Sequence, residues 1–157
     1  MISLLLPWHR NLGKRLVKSP KILVNDTGIA ADLLGIRSRK FTTDRILLGH
    51  FLESFVILEL KKQSGWSKTP VALYHFRTQV GEEVDLVLEA KSGEIIGVEI
   101  KAAQTVTEKD FRGLKVLAEI AGKDFIRGVV FYLGNEIIPF AKNLYALPVN
   151  LLWELES

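Results

Sequence analysis

Between Glu83 and Ala102, apolar and charged residues alternate in two runs, E-V-D-L-V-L-E-A and E-I-I-G-V-E-I-K-A, separated by Lys91-Ser92-Gly93. Strict alternation sorts side chains onto the two faces of a strand, so the pattern predicts a β-hairpin. A three-residue loop ending in Gly93 at the left-handed position is a common closure. It sets Ala90 opposite Glu94, Leu88 opposite Ile96, Leu86 opposite Val98 and Val84 opposite Ile100, making one face wholly apolar. The other face then carries Asp85 against Glu99 and Glu83 against Lys101. A two-residue loop, Ser92-Gly93, would set Leu86 against Glu99 and Val84 against Lys101. That slip spoils both faces, and the pattern rejects it.

The remaining elements follow from the same reading. Residues 1–20 form a connector: an apolar start, Pro7-Trp8, then a basic stretch ending at Ser19-Pro20. Leu4, Leu5, Leu6 and Trp8 are either core or a surface that an upstream part covers, and core is the expectation. Lys21–Asn25 reads as a short strand, and Asp26-Thr27 caps a helix over Gly28–Leu34 that stops at Gly35. Thr43 precedes a longer helix, Asp44–Gln63, closed by Gly65. Apolar residues ring it, which predicts burial on most sides and leaves Glu53 and Glu59 needing a role. Val71–Thr78 is a strand leading into the hairpin. Thr107 and Asp110 form a capping box before the helix Glu108–Ala121, whose apolar stripe is Phe111, Leu114, Ala118 and Ala121. Phe125–Leu133 is a near-continuous apolar run, as in a strand buried on both faces. Gly134-Asn135 turns into Glu136–Ile138, and Ala146–Trp153 closes the chain as a strand or loop.

The charged face of the hairpin carries the candidate chemistry. Residues two apart on a strand point the same way, so Asp85, Glu99 and Lys101 share a face. Opposed carboxylates lie about 5 Å apart, and at an effective dielectric near 20 their repulsion is roughly 3 kcal/mol. A hard divalent cation, Mg²⁺ or Mn²⁺, held by Asp85 and Glu99 would remove that penalty, with Lys101 beside it to place a water. The plain alternative is a solvated face on which Glu83 pairs with Lys101. Spacing alone leaves both readings open.

V-D-L-V-L-E followed by G-V-E-I-K resembles the Asp…Glu-x-Lys signature of the PD-(D/E)XK nuclease superfamily, with Val84 where the motif often has proline. More of the chain resembles a family of domains of unknown function found C-terminal to the ATPase module of prokaryotic AAA-type ATPases. The matching pieces are N-L-G-K-R-L-V-K-S-P-K-I-L-V-N-D-T-G-I-A-A-D-L-L-G, G-H-F-L-E-S-F-V-I-L-E-L, Y-H-F-R-T-Q-V-G-E-E-V-D-L-V-L-E and G-V-E-I-K, in that order. The resemblance implies one nuclease-like domain over 1–157, with an α/β, restriction-endonuclease-like core: a mixed central sheet flanked by helices. Residues 1–20 would be the segment that follows an ATPase module. It further implies Asp85, Glu99, Lys101 and Glu53 as catalytic residues, Glu53 completing the metal shell, with Glu59 the lesser candidate. Two functions follow from it. One is an interaction or nucleic-acid-binding module for an ATPase partner in cis or in trans; the other is a Mg²⁺-dependent nuclease cutting DNA or RNA.

Composition narrows these readings. The 157 residues suit one domain with a real core. No apolar run reaches the ~20 residues of a membrane span, and the first seven residues are too short and lack the basic start of a signal peptide. The chain has no cysteine, which excludes disulfides and thiolate metal sites and fits a cytoplasmic protein. His9, His50 and His75 have no zinc-like spacing. The absence of G-x-x-x-x-G-K-[S/T] means this chain is not itself an NTPase. Net charge is +3, but residues 1–45 hold nine Lys/Arg against three Asp/Glu, and the remainder twelve against fifteen. The basic arm, with Lys14, Arg15, Lys18 and Lys21, is therefore the candidate contact for phosphates, or for an acidic partner. Arg77 could hold a phosphate or a carboxylate, and an arginine near two acids is expected to hold the carboxylate.

Overall fold

The computed structural model describes residues 2–11 and 19–154. Lys14, Arg15 and Lys18 lie outside the described residues; Lys21 lies within them.

Eight strands form one mixed sheet in the order β2-β1-β3-β4-β5-β6-β8-β7. The strands are β1 (Ile2–Pro7), β2 (Lys21–Val24), β3 (Val71–Arg77), β4 (Glu83–Ala90), β5 (Ile95–Lys101), β6 (Phe125–Tyr132), β7 (Ile138–Ala141) and β8 (Leu144–Pro148). Among the described residues the helices are α1 (Thr27–Leu33), α2 (Ser38–Thr43), α3 (Arg45–Ser64), α4 (Arg112–Ala121) and α5 (Leu151–Glu154). The α/β class with a mixed sheet flanked by helices is as the sequence predicts.

The sheet separates two cores. Beneath α4, Phe111, Leu114, Leu117 and Ala121 pack on Val87, Ile95, Val130 and Tyr132. Beneath α3, Val56 and Ile57 pack on Leu86, Val98, Ile100, Val129 and Phe131. Alternate residues from Val129 to Tyr132 therefore feed opposite cores, which is why that half of β6 is apolar without a break. Gly97 of β5 lets α4 approach: a Cβ there would lie 2.6 Å from Leu114 Cδ2.

Local signals act where the sequence puts them. Asp26 Oδ1 accepts from Ile29 N–H at 2.9 Å to cap α1, and Gly35 follows the helix at φ 64°. The Thr107–Asp110 capping box closes in both directions and starts a short 3-10 turn, Glu108–Phe111, that runs into α4.

Four expectations need correction. Ile2–Pro7 is a strand and not a connector. It lies parallel to β3 and antiparallel to β2, and only alternate residues are covered: Leu5 is 4% exposed and Leu4 58%. Thr43 ends the unforeseen helix α2, so the cap of α3 is Asp44, whose Oδ1 accepts from Leu47 N–H at 3.0 Å. α3 buries only Val56, Ile57 and Leu58, and Ile46 is 77% exposed, because the short helices α1 and α2 cover little of its N-terminal half. On α4 the buried stripe runs through Leu117 in place of Ala118.

Candidate active site

The hairpin register is the predicted one from the turn to the middle of the strands. Ala90 N–H bonds Glu94 O at 2.9 Å, Gly93 sits at φ 92°, and Leu88 pairs with Ile96 and Leu86 with Val98. Continued, the ladder would pair Asp85 with Glu99 and then Val84 with Ile100. It stops instead. On the other side of β4, Tyr74 pairs with Val87 and Phe76 with Val84, so three steps along β4 answer two along β3. That is a β-bulge at Asp85-Leu86, and it sends the residues on either side to different faces. Val84 joins the core beneath α4, whereas Leu86 and Ile100 stay beneath α3. The wholly apolar face expected to include both Val84 and Ile100 is thereby broken.

The bulge gives Asp85 a structural task at the point where strand pairing fails. Its Oδ2 accepts from Ile100 N–H at 2.9 Å, taking the place of the next rung. Glu99 and Lys101 lie beside it on β5, Lys101 Nζ standing 2.8 Å from Glu99 Oε1. From α3, Glu53 reaches the same group and bonds the ammonium of Lys21, which is also 3.8 Å from Asp85 Oδ1. The structure thus brings Asp85, Glu99, Lys101 and Glu53 together, and adds Lys21. Glu59, one helical turn and a half further on, pairs with Lys62 at 2.6 Å and takes no part. Glu83 does not meet Lys101: it pairs across the sheet with Arg77 at 2.9 Å, so Arg77 holds a carboxylate as expected.

The electrostatics follow from this crowding. Asp85 is pushed up to about 8, first by burial and then by the charges of Glu99 and Glu53, against the pull of Lys21 and the Ile100 N–H. Glu99 is also raised, by burial, although Lys101 and the Asp85 main-chain N–H oppose it. The two carboxyls share their titration, and the proton they retain belongs to the pair. Burial lowers Lys21 and Lys101, but the carboxylates outweigh it and hold both above the usual lysine value. Both lysines are therefore cations at neutral pH. Lys101 supplies charge and hydrogen-bond donors here, and is no proton acceptor.

Two observations bear on a cation. Glu99 Oε2 is the one buried side-chain polar atom among the described residues with no hydrogen-bond partner. Such an atom normally has one, so the carboxylate presents an unused hard donor. Among the described residues no group of three or more His, Cys, Asp or Glu is arranged to hold a metal ion. Glu53, the third carboxylate nearby, is engaged by Lys21. The set of Asp85 and Glu99 fits a Mg²⁺-type ion, which takes one or two carboxylates and fills its other positions with water and phosphate oxygens.

Lys21 is what sequence reasoning misplaces. Its position in the basic arm groups it with Lys14, Arg15 and Lys18 as a phosphate contact, but its head points into the carboxylates. No local signal separates it from those neighbours. Beside it a cavity of about 540 Å³ runs along Ser19, Pro20, His75 and Arg77 to Asp85.

Residues 48–152 match the family described as "Domain of unknown function (DUF4143)". The chain belongs to the DUF4143 family. A second family, "Domain of unknown function (DUF8612)", matches residues 1–40. The boundary divides the site: Glu53, Asp85, Glu99 and Lys101 lie in the DUF4143 part, and Lys21 lies in the other segment. Two curated relatives are similar over nearly the whole chain, "Uncharacterized protein Rv2008c" of Mycobacterium tuberculosis and "Uncharacterized protein Mb2031c" of Mycobacterium bovis. Each is 34% identical over 151 residues, which is 96% of this chain and 32% of the relative. The chain therefore spans about a third of the length of these relatives. Among the described residues no helix is long and apolar enough to cross a membrane.

Proposed function

We propose that this DUF4143 domain is nuclease-like in the PD-(D/E)XK sense and hydrolyses phosphodiester bonds of nucleic acid with Mg²⁺ or Mn²⁺, in the service of an ATPase module in cis or in trans. The observation that carries the reading is the convergence of Asp85, Glu99 and Lys101 at one bulge, with Glu99 Oε2 buried and unpartnered. Asp85 and Glu99 would hold the cation, and Glu53 stands next to them. Once bound, it supplies a Lewis acid and an acidified water at neutral pH. The chain's own part is orientation. Ile100 N–H fixes the Asp85 carboxylate, Lys101 fixes Oε1 of Glu99, and the remaining N–H donors of Lys101 are free to hold a water or a phosphate oxygen. The relatives' extra length, about twice that of the matched part, is compatible with an ATPase module.

The test is cleavage of plasmid DNA and of structured RNA by the purified protein in Mn²⁺. Lys101→Ala is expected to lower the rate by ~100-fold or more, the usual loss when an oriented charge leaves an active site. Loss of the ammonium paired with Glu99 should also lower the melting temperature, so the rates are compared at a temperature where both proteins are folded. Cleavage that continues at full rate in Lys101→Ala assigns the activity elsewhere.

A second reading has one observation in its favour. Lys21 already neutralises Glu53 and approaches Asp85, as in a site with no further need of a cation. The domain is then an interaction or nucleic-acid-binding module for the ATPase partner, since a fold does not by itself confer activity. Binding of nucleic acid without cleavage in Mn²⁺ selects this reading.

A further inference from the structure

We propose that Lys21 competes with the divalent cation for the carboxylate site, so that metal binds only as the Lys21 ammonium withdraws. The inference rests on the cation reading above and adds a control to it.

With its carboxylates ionised, as metal ligands must be, the group of Glu53, Asp85 and Glu99 facing the ammoniums of Lys21 and Lys101 carries one negative charge in excess. A divalent ion that replaces the Lys21 ammonium brings the group to neutrality. A divalent ion that joins it leaves an excess positive charge in a buried place, where unpaired charge is costly. Exchange is therefore favoured over coexistence. Geometry points the same way: Lys21 bonds Glu53 and lies 3.8 Å from the Asp85 oxygen not used by Ile100 N–H. It occupies the side of Asp85 from which a cation would approach.

The placement of Lys21 suits a movable group. It is the first residue of β2, a four-residue edge strand that among the described residues pairs with β1 alone. Withdrawal of the Lys21 side chain at the strand's first residue leaves the β3–β4–β5–β6 centre in place, while Leu23, two residues on, stays anchored in the core beneath α3. The cavity along Ser19, His75 and Arg77 gives the released side chain open volume. Lys21 also belongs to the segment matched by the second family, so the competitor and the carboxylates come from separately defined parts of the chain.

The experiment is Mn²⁺ titration by calorimetry, with thermal melting of the same samples, on the chain as it stands and on Lys21→Met, Lys21→Arg and Asp85→Asn. Lys21→Met is expected to bind Mn²⁺ at least ~10-fold more tightly. It should melt lower than wild type without metal and recover in Mn²⁺, as a site that binds only when folded requires. Lys21→Arg, which keeps the charge, should stay near the wild-type affinity, and Asp85→Asn should lose binding. If Lys21→Met does not fold, Lys21→Gln keeps a donor for Glu53 and carries the same expectation. Equal Mn²⁺ affinity in wild type and the neutral Lys21 variant overturns the competition while the metal site stands. Absence of Mn²⁺ binding in every variant overturns the metal reading and the competition with it.

Discussion

Gly113→Ala is expected to destabilise this protein by roughly 3 kcal/mol or more, lowering the melting temperature by about 6–12 °C. Gly113 is the second residue of α4, and a Cβ built there would lie 1.9 Å from the carbonyl oxygen of Glu83 and 3.3 Å from a Val84 methyl. A flexible side chain could move aside, but a strand carbonyl cannot. Either α4 lifts off, disturbing Phe111, Leu114 and Leu117 in the core, or the start of β4 is pushed away. The second outcome moves Asp85, two residues on from Glu83, so Mn²⁺ binding should weaken along with stability. Gly49→Ala is the internal control. Gly49 lies inside α3 with nothing within 4 Å of its would-be Cβ, so alanine there should stabilise by ~0.5–1 kcal/mol through helix propensity alone. A Gly113→Ala variant that melts like wild type would show that α4 does not rest on the β4 backbone.

Asp85→Asn is expected to stabilise the metal-free protein, and to do so more as the pH rises. The carboxyl is raised from 3.8 to about 8 in the folded chain by burial and by its neighbours Glu99 and Glu53. Between these values the native state holds a proton that the unfolded chain releases, so the native state binds more protons and stability falls with increasing pH. The favourable contribution is fully present below about pH 4 and is lost as pH rises through about 8. Asparagine cannot ionise and its amide oxygen still accepts from Ile100 N–H. The variant therefore keeps the bond and sheds the repulsion, while losing its charge attraction to Lys21. The net gain should be near zero at pH 4 and roughly 3 kcal/mol by pH 8–9. Urea unfolding at a series of pH values measures it. A gain that does not grow between pH 5 and 8 would mean that Asp85 is ionised in the native protein across that range.

Much of the site is legible in the residues themselves. Alternation and the three-residue loop dictate the rungs Leu86–Val98 and Leu88–Ile96, because side chains two apart must share a face and a slip would bury charge. The bulge is not legible there. It depends on how β4 pairs with β3 on its other side, and a hairpin pattern holds no information about the second neighbour. The same limit hides the arrival of Glu53 and Lys21 in one ion pair, across 32 residues of chain.

What this sequence determined by itself is local. The caps at Asp26 and Thr107–Asp110, the turn at Gly93, the double-faced burial of β6 and the hairpin register each rest on contacts between near neighbours or on a periodicity printed in the chain. Only the tertiary structure decided that Ile2–Pro7 inserts as a strand between β2 and β3, that Asp85 replaces a rung of the ladder, and that Lys21 turns into the acids. The physical reason is shared. A lysine next to other basic residues reads as solvated surface until the order of strands places it beside buried carboxylates, and strand order is set by the sum of long-range packing rather than by any residue in the stretch itself.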